Sequence, residues 1–131
     1  MPAMENLTEQ NEYLLGLMAM TVFADKQVLS EEIKAFVRVG IYLKEAWLLP
    51  EEMDEPSLIK WYEANKIRLR SKLAGDRFAP WLNSCLSSLD PIPNKTPILV
   101  AMTDIAKADE DLHVSEIALV RLAARHWKMA A

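Results

Sequence analysis

Aspartate and glutamate recur at one fixed spacing in two separate parts of this 131-residue chain. In each part an Ala-Asp pair is followed, seven positions after the Asp, by a Glu-Ile pair. The acids are Asp25 and Glu32 in the first copy and Asp109 and Glu116 in the second, at an offset of 84 residues. Carboxylate oxygens are the ligands that hard divalent cations prefer. The chemistry that this spacing could support is therefore cation binding.

The second copy is the more acidic of the two. Its loop also contains Asp111, and Asp104 lies one turn earlier, whereas Lys26 directly follows the Asp of the first copy. Neither copy has the Asp-x-Asp-x-Asp-Gly pattern of an EF-hand, and the pattern does not distinguish Ca²⁺, Mg²⁺ and Zn²⁺. The candidate metal ligands are Asp25, Glu32, Asp109, Glu116 and Asp111.

The same acids have a purely structural alternative. An Asp in a loop can accept hydrogen bonds from loop amides that would otherwise be unpaired. A Glu in the first turn of a helix complements the positive end of the helix dipole. In this alternative the repeated acids support folding and bind no ion.

Other kinds of chemistry find little support in the sequence. Cys85 is the only cysteine and lies on an apolar helical stripe, so we expect a buried, inert thiol and no cysteine-rich zinc site. His113 and His126 lack the same-face spacing of zinc ligands. The sequence contains no glycine-rich phosphate loop and no nucleophile elbow. We therefore expect no catalytic residues and no enzymatic activity.

Helices must position the acids, because the chain has only three glycines and is rich in helix-forming residues. We predict an all-α fold, a compact bundle of about six helices in one domain over residues 1–131, with two pseudo-symmetric helix–acidic loop–helix units. Gly40 allows the second helix a close approach, and Ser57 caps the third. The first helix carries a buried stripe at helical spacing, formed by Leu14, Leu17, Met18, Thr21 and Val22. The predicted helices cover residues 5–24, 30–46, 57–74, 76–89, 96–108 and 113–126.

The net charge of −4 is unevenly distributed along the chain. Residues 1–56 carry 11 acids and 4 bases, residues 57–97 carry 3 acids and 7 bases, and residues 98–131 carry 5 acids and 4 bases. A basic middle thus lies between two acidic flanks, which indicates a surface with two signs of charge. Because the whole chain is acidic and has no nucleic-acid-binding motif, we expect no nucleic acid partner.

The basic middle supplies a candidate partner-binding face. Arg68 and Arg70 lie on the predicted third helix, and Trp61 beside Tyr62 is interpreted as an exposed aromatic anchor. The expected partner is an acidic protein or a membrane surface. The structural alternative is a solvated face whose bases pair with nearby acids. Most of the remaining tryptophans are interpreted as core: Trp47, Trp81 and Trp127.

The apolar stretches of the chain are interrupted by charges before they reach the length of a membrane span. The first residues also lack a basic stretch followed by an apolar run, so we expect no signal peptide. A bacterial cytoplasmic location is the resulting expectation.

The pattern Ala-Asp-x-x-apolar-x-x-x-Glu, present twice in a helical chain of this length, resembles the TerB-like tellurite-resistance family over residues 10–128. The resemblance implies an all-α fold with two related halves and a non-enzymatic role in tellurite resistance or related chemical stress. It also implies metal binding by an acidic cluster, which carries over to Asp25, Glu32, Asp109 and Glu116. A similar domain occurs in membrane-associated J-domain co-chaperones. The alternative function is a helical adaptor that docks other proteins and uses these acids only for folding.

Overall fold

A computed structural model describes residues 8–23, 29–74, 78–107 and 114–129 of the chain. These ranges contain six α-helices and no strand, which confirms the prediction of an all-α bundle. The pseudo-symmetric relation between the two acidic units stays a prediction. The helices are α1 Glu9–Phe23, α2 Leu29–Glu45, α3 Glu55–Ala74, α4 Phe78–Ser88, α5 Thr96–Lys107 and α6 Val114–His126.

Helix α1 is the central element of the bundle, since it contacts each of the other five helices. The predicted stripe is buried, and the residues between its members are buried as well, so burial extends over every residue from Leu14 to Val22. A helix that is apolar on all sides is surrounded by other helices, because only complete enclosure buries every face. Thr21 is the one polar residue in this stretch, and its hydroxyl donates a hydrogen bond to the Leu17 carbonyl at 2.8 Å.

Helices α2 and α3 approach each other closely at Gly40, as the sequence predicted. A Cβ atom placed on Gly40 would lie 2.7 Å from Cδ2 of Leu58, which is fully buried in α3. Near this contact Phe36 of α2 stacks on Trp61 of α3, with ring centroids 5.7 Å apart. The absent side chain of Gly40 therefore determines how closely α2 packs against α3.

We expect the Gly40→Ala substitution to lower the free energy of unfolding by about 1 kcal/mol. Alanine gains roughly 1 kcal/mol of helix propensity over glycine, but the new methyl group must displace Leu58, and overpacking a core costs about 1–3 kcal/mol. Gly16→Ala is the matched control, because its nearest neighbour is Trp81 at 3.2 Å and that ring is only partly buried. Urea denaturation measures both variants, and a stabilised Gly40→Ala protein would contradict this packing.

Helix α3 begins earlier than the sequence indicated, and its N-cap is Asp54 rather than Ser57. The Asp54 carboxylate accepts a hydrogen bond from the Ser57 backbone N–H at 3.1 Å. The helix tolerates Pro56 in its first turn because an N–H there would have no partner within the helix. Hydrogen bonds from the Ser57 side chain and backbone hold the pKa of Asp54 below its ordinary value of 3.8.

This cap predicts a specific pH dependence of stability. Because the folded-state pKa of Asp54 is lowered, the ionised cap stabilises the fold above the unfolded pKa, and this contribution is lost as the pH falls through the folded pKa. Asn is also an N-cap but does not titrate. We expect the stability of the wild type to fall relative to Asp54→Asn between about pH 5 and about pH 2, measured by denaturant titration at each pH. A difference between the two proteins that stays constant over this range would contradict the capping role.

Helix α4 presents the apolar stripe that the sequence predicted. Leu82, Cys85, Leu86 and Leu89 are buried, and Trp81 packs partly buried against the same core. Helix α6 is tied to this stripe at its end, where the Trp127 indole N–H donates a hydrogen bond to the Leu86 carbonyl at 3.1 Å. Asp76, where the predicted fourth helix begins, lies outside the described residues.

The turn that terminates helix α2 contains a left-handed residue that is not glycine. The Leu48 N–H donates to the Leu43 carbonyl and the Trp47 N–H donates to the Lys44 carbonyl, each at 3.0 Å. This pair of bonds is the Schellman arrangement, which needs a positive φ at its C′ residue and usually has glycine there. Trp47 occupies that position with a φ of 67°. The end of α6 has the same pattern, with Lys128 at a φ of 56°.

Candidate functional site

The predicted metal ligands fall in the parts of the chain that the structure does not describe. Asp25, Asp109 and Asp111 lie outside the described residues. Glu32 and Glu116 belong to the first turns of α2 and α6, but their side chains are outside the description as well. Within the described ranges, no group of three His, Cys, Asp or Glu side chains could hold a metal ion. Cation binding at the repeated acids therefore stays a prediction.

The described helices nevertheless show what kind of junction carries each acidic segment. The first segment joins α1 to α2, the second joins α5 to α6, and the two helices of each pair contact each other. Helix α5 also contacts both α1 and α2, so the two pairs belong to one packed unit. Glu32 and Glu116 each lie in the first turn of the second helix of a pair, where unpaired N–H groups favour a carboxylate.

Asp104, the acid one turn before the second segment, already has a cationic partner. Its Oδ2 atom accepts a hydrogen bond from Nε of Arg38 at 2.9 Å, which links α5 to α2. Both side chains are about half exposed, so this ion pair contributes at most about 1 kcal/mol. Asp104 is therefore occupied by a guanidinium group, and we do not count it among the candidate ligands.

The interpretation of Trp61 as an exposed partner anchor is wrong. Trp61 is 1% exposed, and its indole N–H donates a hydrogen bond to the Glu12 carboxylate of α1 at 2.9 Å. Its ring also stacks on Phe36, so α3 turns this residue towards α1 and α2 and away from solvent. A tryptophan at helical spacing can lie on either face of a helix, and here packing against two neighbouring helices determines the face.

Arg68 and Arg70 of α3 are exposed, so their predicted place on the surface agrees with the structure, while partner binding by them stays a prediction. Arg68 donates a hydrogen bond to the Asn65 side chain at 2.9 Å. It also lines a cleft of about 340 Å³ whose opposite wall includes Glu9 and Glu12 of α1. The basic residues of α3 thus have acidic neighbours, which favours the alternative of a solvated face that pairs with nearby acids.

Cys85 has the environment of an unreactive thiol, as expected. Its side chain is fully buried, and this burial raises its pKa to about 12. The thiolate is the nucleophilic form of cysteine, so a thiol with this pKa stays neutral and inert near neutral pH. Nε2 of His126 lies 3.3 Å from the Asp90 carboxylate. His113 lies outside the described residues.

Sequence reasoning missed Trp47, which is the exposed tryptophan of the described chain. It is 84% exposed and follows the end of α2, where we had expected a packing residue. Ala-Trp-Leu-Leu-Pro follows α2 and contains no glycine to take a left-handed position. Because a helix can also end without a left-handed residue, this segment gives no signal that Trp47 adopts a positive φ.

The amino-acid sequence matches a known protein family. The family described as Tellurite resistance protein TerB matches residues 11–130, which is nearly the whole chain. No curated protein and no solved structure matches it. Over the described ranges, every helix is too short or too polar to cross a bilayer. The matched length and the all-helical architecture together show that this chain belongs to the TerB family of tellurite resistance proteins.

Proposed function

We propose that this TerB-family protein is a non-enzymatic, cytoplasmic component of the response to tellurite or related chemical stress, and that it binds a divalent cation at its two acidic segments. The observation that carries the proposal is a repeated spacing: Asp109 and Glu116 have the same separation as Asp25 and Glu32. A single such pair is common in helical proteins, whereas two copies, each joining two helices in contact, favour a shared function.

The arrangement of the helices supports this proposal. Each acidic segment connects two helices in contact, and α5 packs against both helices of the first pair. Hard cations such as Ca²⁺ and Mg²⁺ require several oxygen ligands. The second segment alone offers Asp109, Asp111 and Glu116, and the first adds Asp25 and Glu32. These five carboxylates are enough for one site shared by both segments or for a separate site in the second.

Calorimetric titration of chelator-treated protein with Ca²⁺, Mg²⁺, Zn²⁺ and Mn²⁺ tests the proposal. We expect saturable heat for at least one ion, and its loss in the Asp109→Ala/Glu116→Ala double variant. The matched control is Glu51→Ala/Glu52→Ala, which removes the same number of carboxylates from the exposed connection between α2 and α3. If the Asp109/Glu116 variant binds as well as the control, the assignment of the site is wrong.

A second candidate function is that of a helical adaptor, in which the acidic segments only support folding. The exposure of Arg68 and Arg70 on α3 favours it, since both could contact an acidic protein or an anionic membrane surface. Affinity capture from the source cells tests this face. A partner lost on Arg68→Glu/Arg70→Glu substitution would support the adaptor function, while unchanged recovery would exclude this face as the contact.

A further inference from the structure

The exposure and the backbone conformation of Trp47 are both unusual. Its side chain is 84% exposed, so it contributes little to the core. Its φ of 67° lies in the left-handed region, which disfavours a bulky side chain and which glycine would adopt more easily. A residue that adds strain without packing in return points to a role outside the fold. Exposed tryptophan is also the residue type most enriched at the centres of protein interfaces.

Trp47 borders a groove of about 520 Å³ that has both apolar and polar lining residues. One wall comes from the connection between α2 and α3, and the opposite wall comes from the connection between α4 and α5. The start of α1 forms the floor. The residues that give the walls their apolar character are Trp47, Leu48, Pro50, Pro91, Ile92 and Pro93.

The walls of the groove offer rings and aliphatic surface, while its polar side chains lie at the start of α1. Its three prolines have no backbone N–H. On the floor, the Asn11 side-chain amide donates to the Leu48 carbonyl and the Gln10 side-chain amide donates to the Ser88 carbonyl, each at 3.2 Å. A peptide that bound by adding a β-strand would need free backbone partners. The lining suits a ligand that is recognised through its side chains and rings.

Hydrogen bonds hold both walls in place without a ligand. Leu48 is fixed by the bond from its N–H to the Leu43 carbonyl. Ile92 is 7% exposed, and its carbonyl accepts a hydrogen bond from the Lys95 ammonium group at 2.8 Å. The prolines restrict the backbone further because their φ angles are fixed. A groove that is ordered in advance loses little conformational freedom on binding.

Exposed acids lie beside the wall that the connection between α2 and α3 provides. They are Glu45, Glu51 and Glu52, which lie within two positions of Trp47 or Pro50 and form the acidic rim of the groove. Near the opposite wall, the Lys95 ammonium group is bonded to the Ile92 carbonyl. Such a rim attracts a basic ligand and repels the same surface of a second copy.

We propose that this groove binds an extended, proline-containing segment of a protein partner that carries Arg or Lys beside the prolines. Proline-rich segments adopt a preformed extended helix and dock against aromatic side chains, and Trp47 offers such a ring beside the wall prolines. The basic side chains of the segment face the acidic rim, where Trp47 adds a cation–π contact. This site lies apart from the acidic segments and does not depend on the proposed cation.

Fluorescence anisotropy with three labelled peptides tests the proposal on the full chain in the presence of a chelator. The basic probe repeats Arg-Pro-Leu-Pro-Pro-Arg, a second probe has Glu in place of Arg, and a third has Ala in place of Pro. We expect saturable binding of the basic probe and at least about tenfold weaker binding of the other two. We also expect binding to weaken as salt is raised, because the rim attraction is electrostatic.

The Trp47→Gly variant carries the decisive comparison, because glycine fits the left-handed position and the variant should fold. We expect it to bind the basic probe at least about tenfold more weakly than the wild type. Lys128→Gly is the matched control, since it makes the same change at the equivalent end of α6, away from the groove. Its affinity should equal that of the wild type.

Three results would overturn the proposal. The first is the absence of saturable binding of the basic probe, or equal binding to wild type and Trp47→Gly. The second is a dimer in sedimentation that Trp47→Gly dissociates, which would assign the groove to a second copy of this chain. The third is Trp47-dependent binding to phosphatidylcholine vesicles, which would assign it to lipid. Cation binding by Trp47→Gly, measured separately, distinguishes failure here from failure of the proposed function.

Discussion

Replacing Trp61 by alanine should lower the free energy of unfolding by about 3–5 kcal/mol, the cost of removing a buried aromatic side chain. Trp61 is 1% exposed, its ring stacks on Phe36, and its indole N–H bonds to Glu12. The substitution leaves a cavity where α1, α2 and α3 meet. Urea denaturation monitored by circular dichroism measures the change.

Trp47→Ala is the matched control for this prediction, because it deletes the same side chain from the surface. With 84% of Trp47 exposed, we expect its stability to stay within about 0.5 kcal/mol of the wild type. Trp61→Phe keeps an aromatic ring but removes the indole N–H group. Loss of the hydrogen bond to Glu12 should cost about 1 kcal/mol. Equal effects of the two alanine substitutions would contradict the burial of Trp61.

Saturation with the bound cation should raise the free energy of unfolding by about 2.7 kcal/mol when the free ion is at a hundredfold excess over its Kd. The reason is mass action. An ion whose ligands are brought together only by folding binds the native state and not the unfolded chain. Thermal unfolding in chelator and in excess cation measures the difference. We expect the shift to disappear in the Asp109→Ala/Glu116→Ala variant.

The control for cation stabilisation is again Glu51→Ala/Glu52→Ala, which should keep the full shift. A shift that is halved by both double variants would indicate nonspecific screening of the negative net charge rather than a site. No shift in the wild type for any ion would leave the acids with the structural role of capping loops and helix ends.

Periodicity in the sequence was sufficient for the number of helices and for the faces of the simpler ones. The stripe of α4 from Leu82 to Leu89 is buried as predicted, because one apolar face among polar neighbours allows only one orientation. Gly40 also has the predicted close neighbour. These features follow from local spacing and need no knowledge of which helices become neighbours.

Features that depend on neighbouring helices could not be predicted in the same way. Helix α1 is enclosed on every side from Leu14 to Val22, which follows from its central place among five other helices. Trp61 is buried and Trp47 is exposed, the reverse of what the sequence predicted. The reason is that packing decides which face of α3 is buried and where α2 ends. Asp54 replaces Ser57 as the cap for a similar reason, since Asp54, Pro56 and Ser57 are all compatible with a helix start.

In the candidate site, too, sequence spacing predicts some features and leaves others to the folded structure. Spacing identifies the repeated acids and places Glu32 and Glu116 in the first turns of α2 and α6. It does not give the distance between carboxylates, on which cation binding depends. For Asp104 the structure shows what lies beside the carboxylate, because Arg38 of α2 forms an ion pair with it.

Paramagnetic broadening of backbone amide NMR signals by Mn²⁺ tests the central claim most directly, because it reports where a divalent cation is held. We predict that substoichiometric Mn²⁺ broadens the amide signals around Asp109 and Glu116, with those around Asp25 and Glu32 affected as well if both segments share one site. The signals of the equally acidic connection at Glu51 and Glu52 should stay sharp. Broadening that is strongest at this connection, or absent from the repeated segments, would contradict the account.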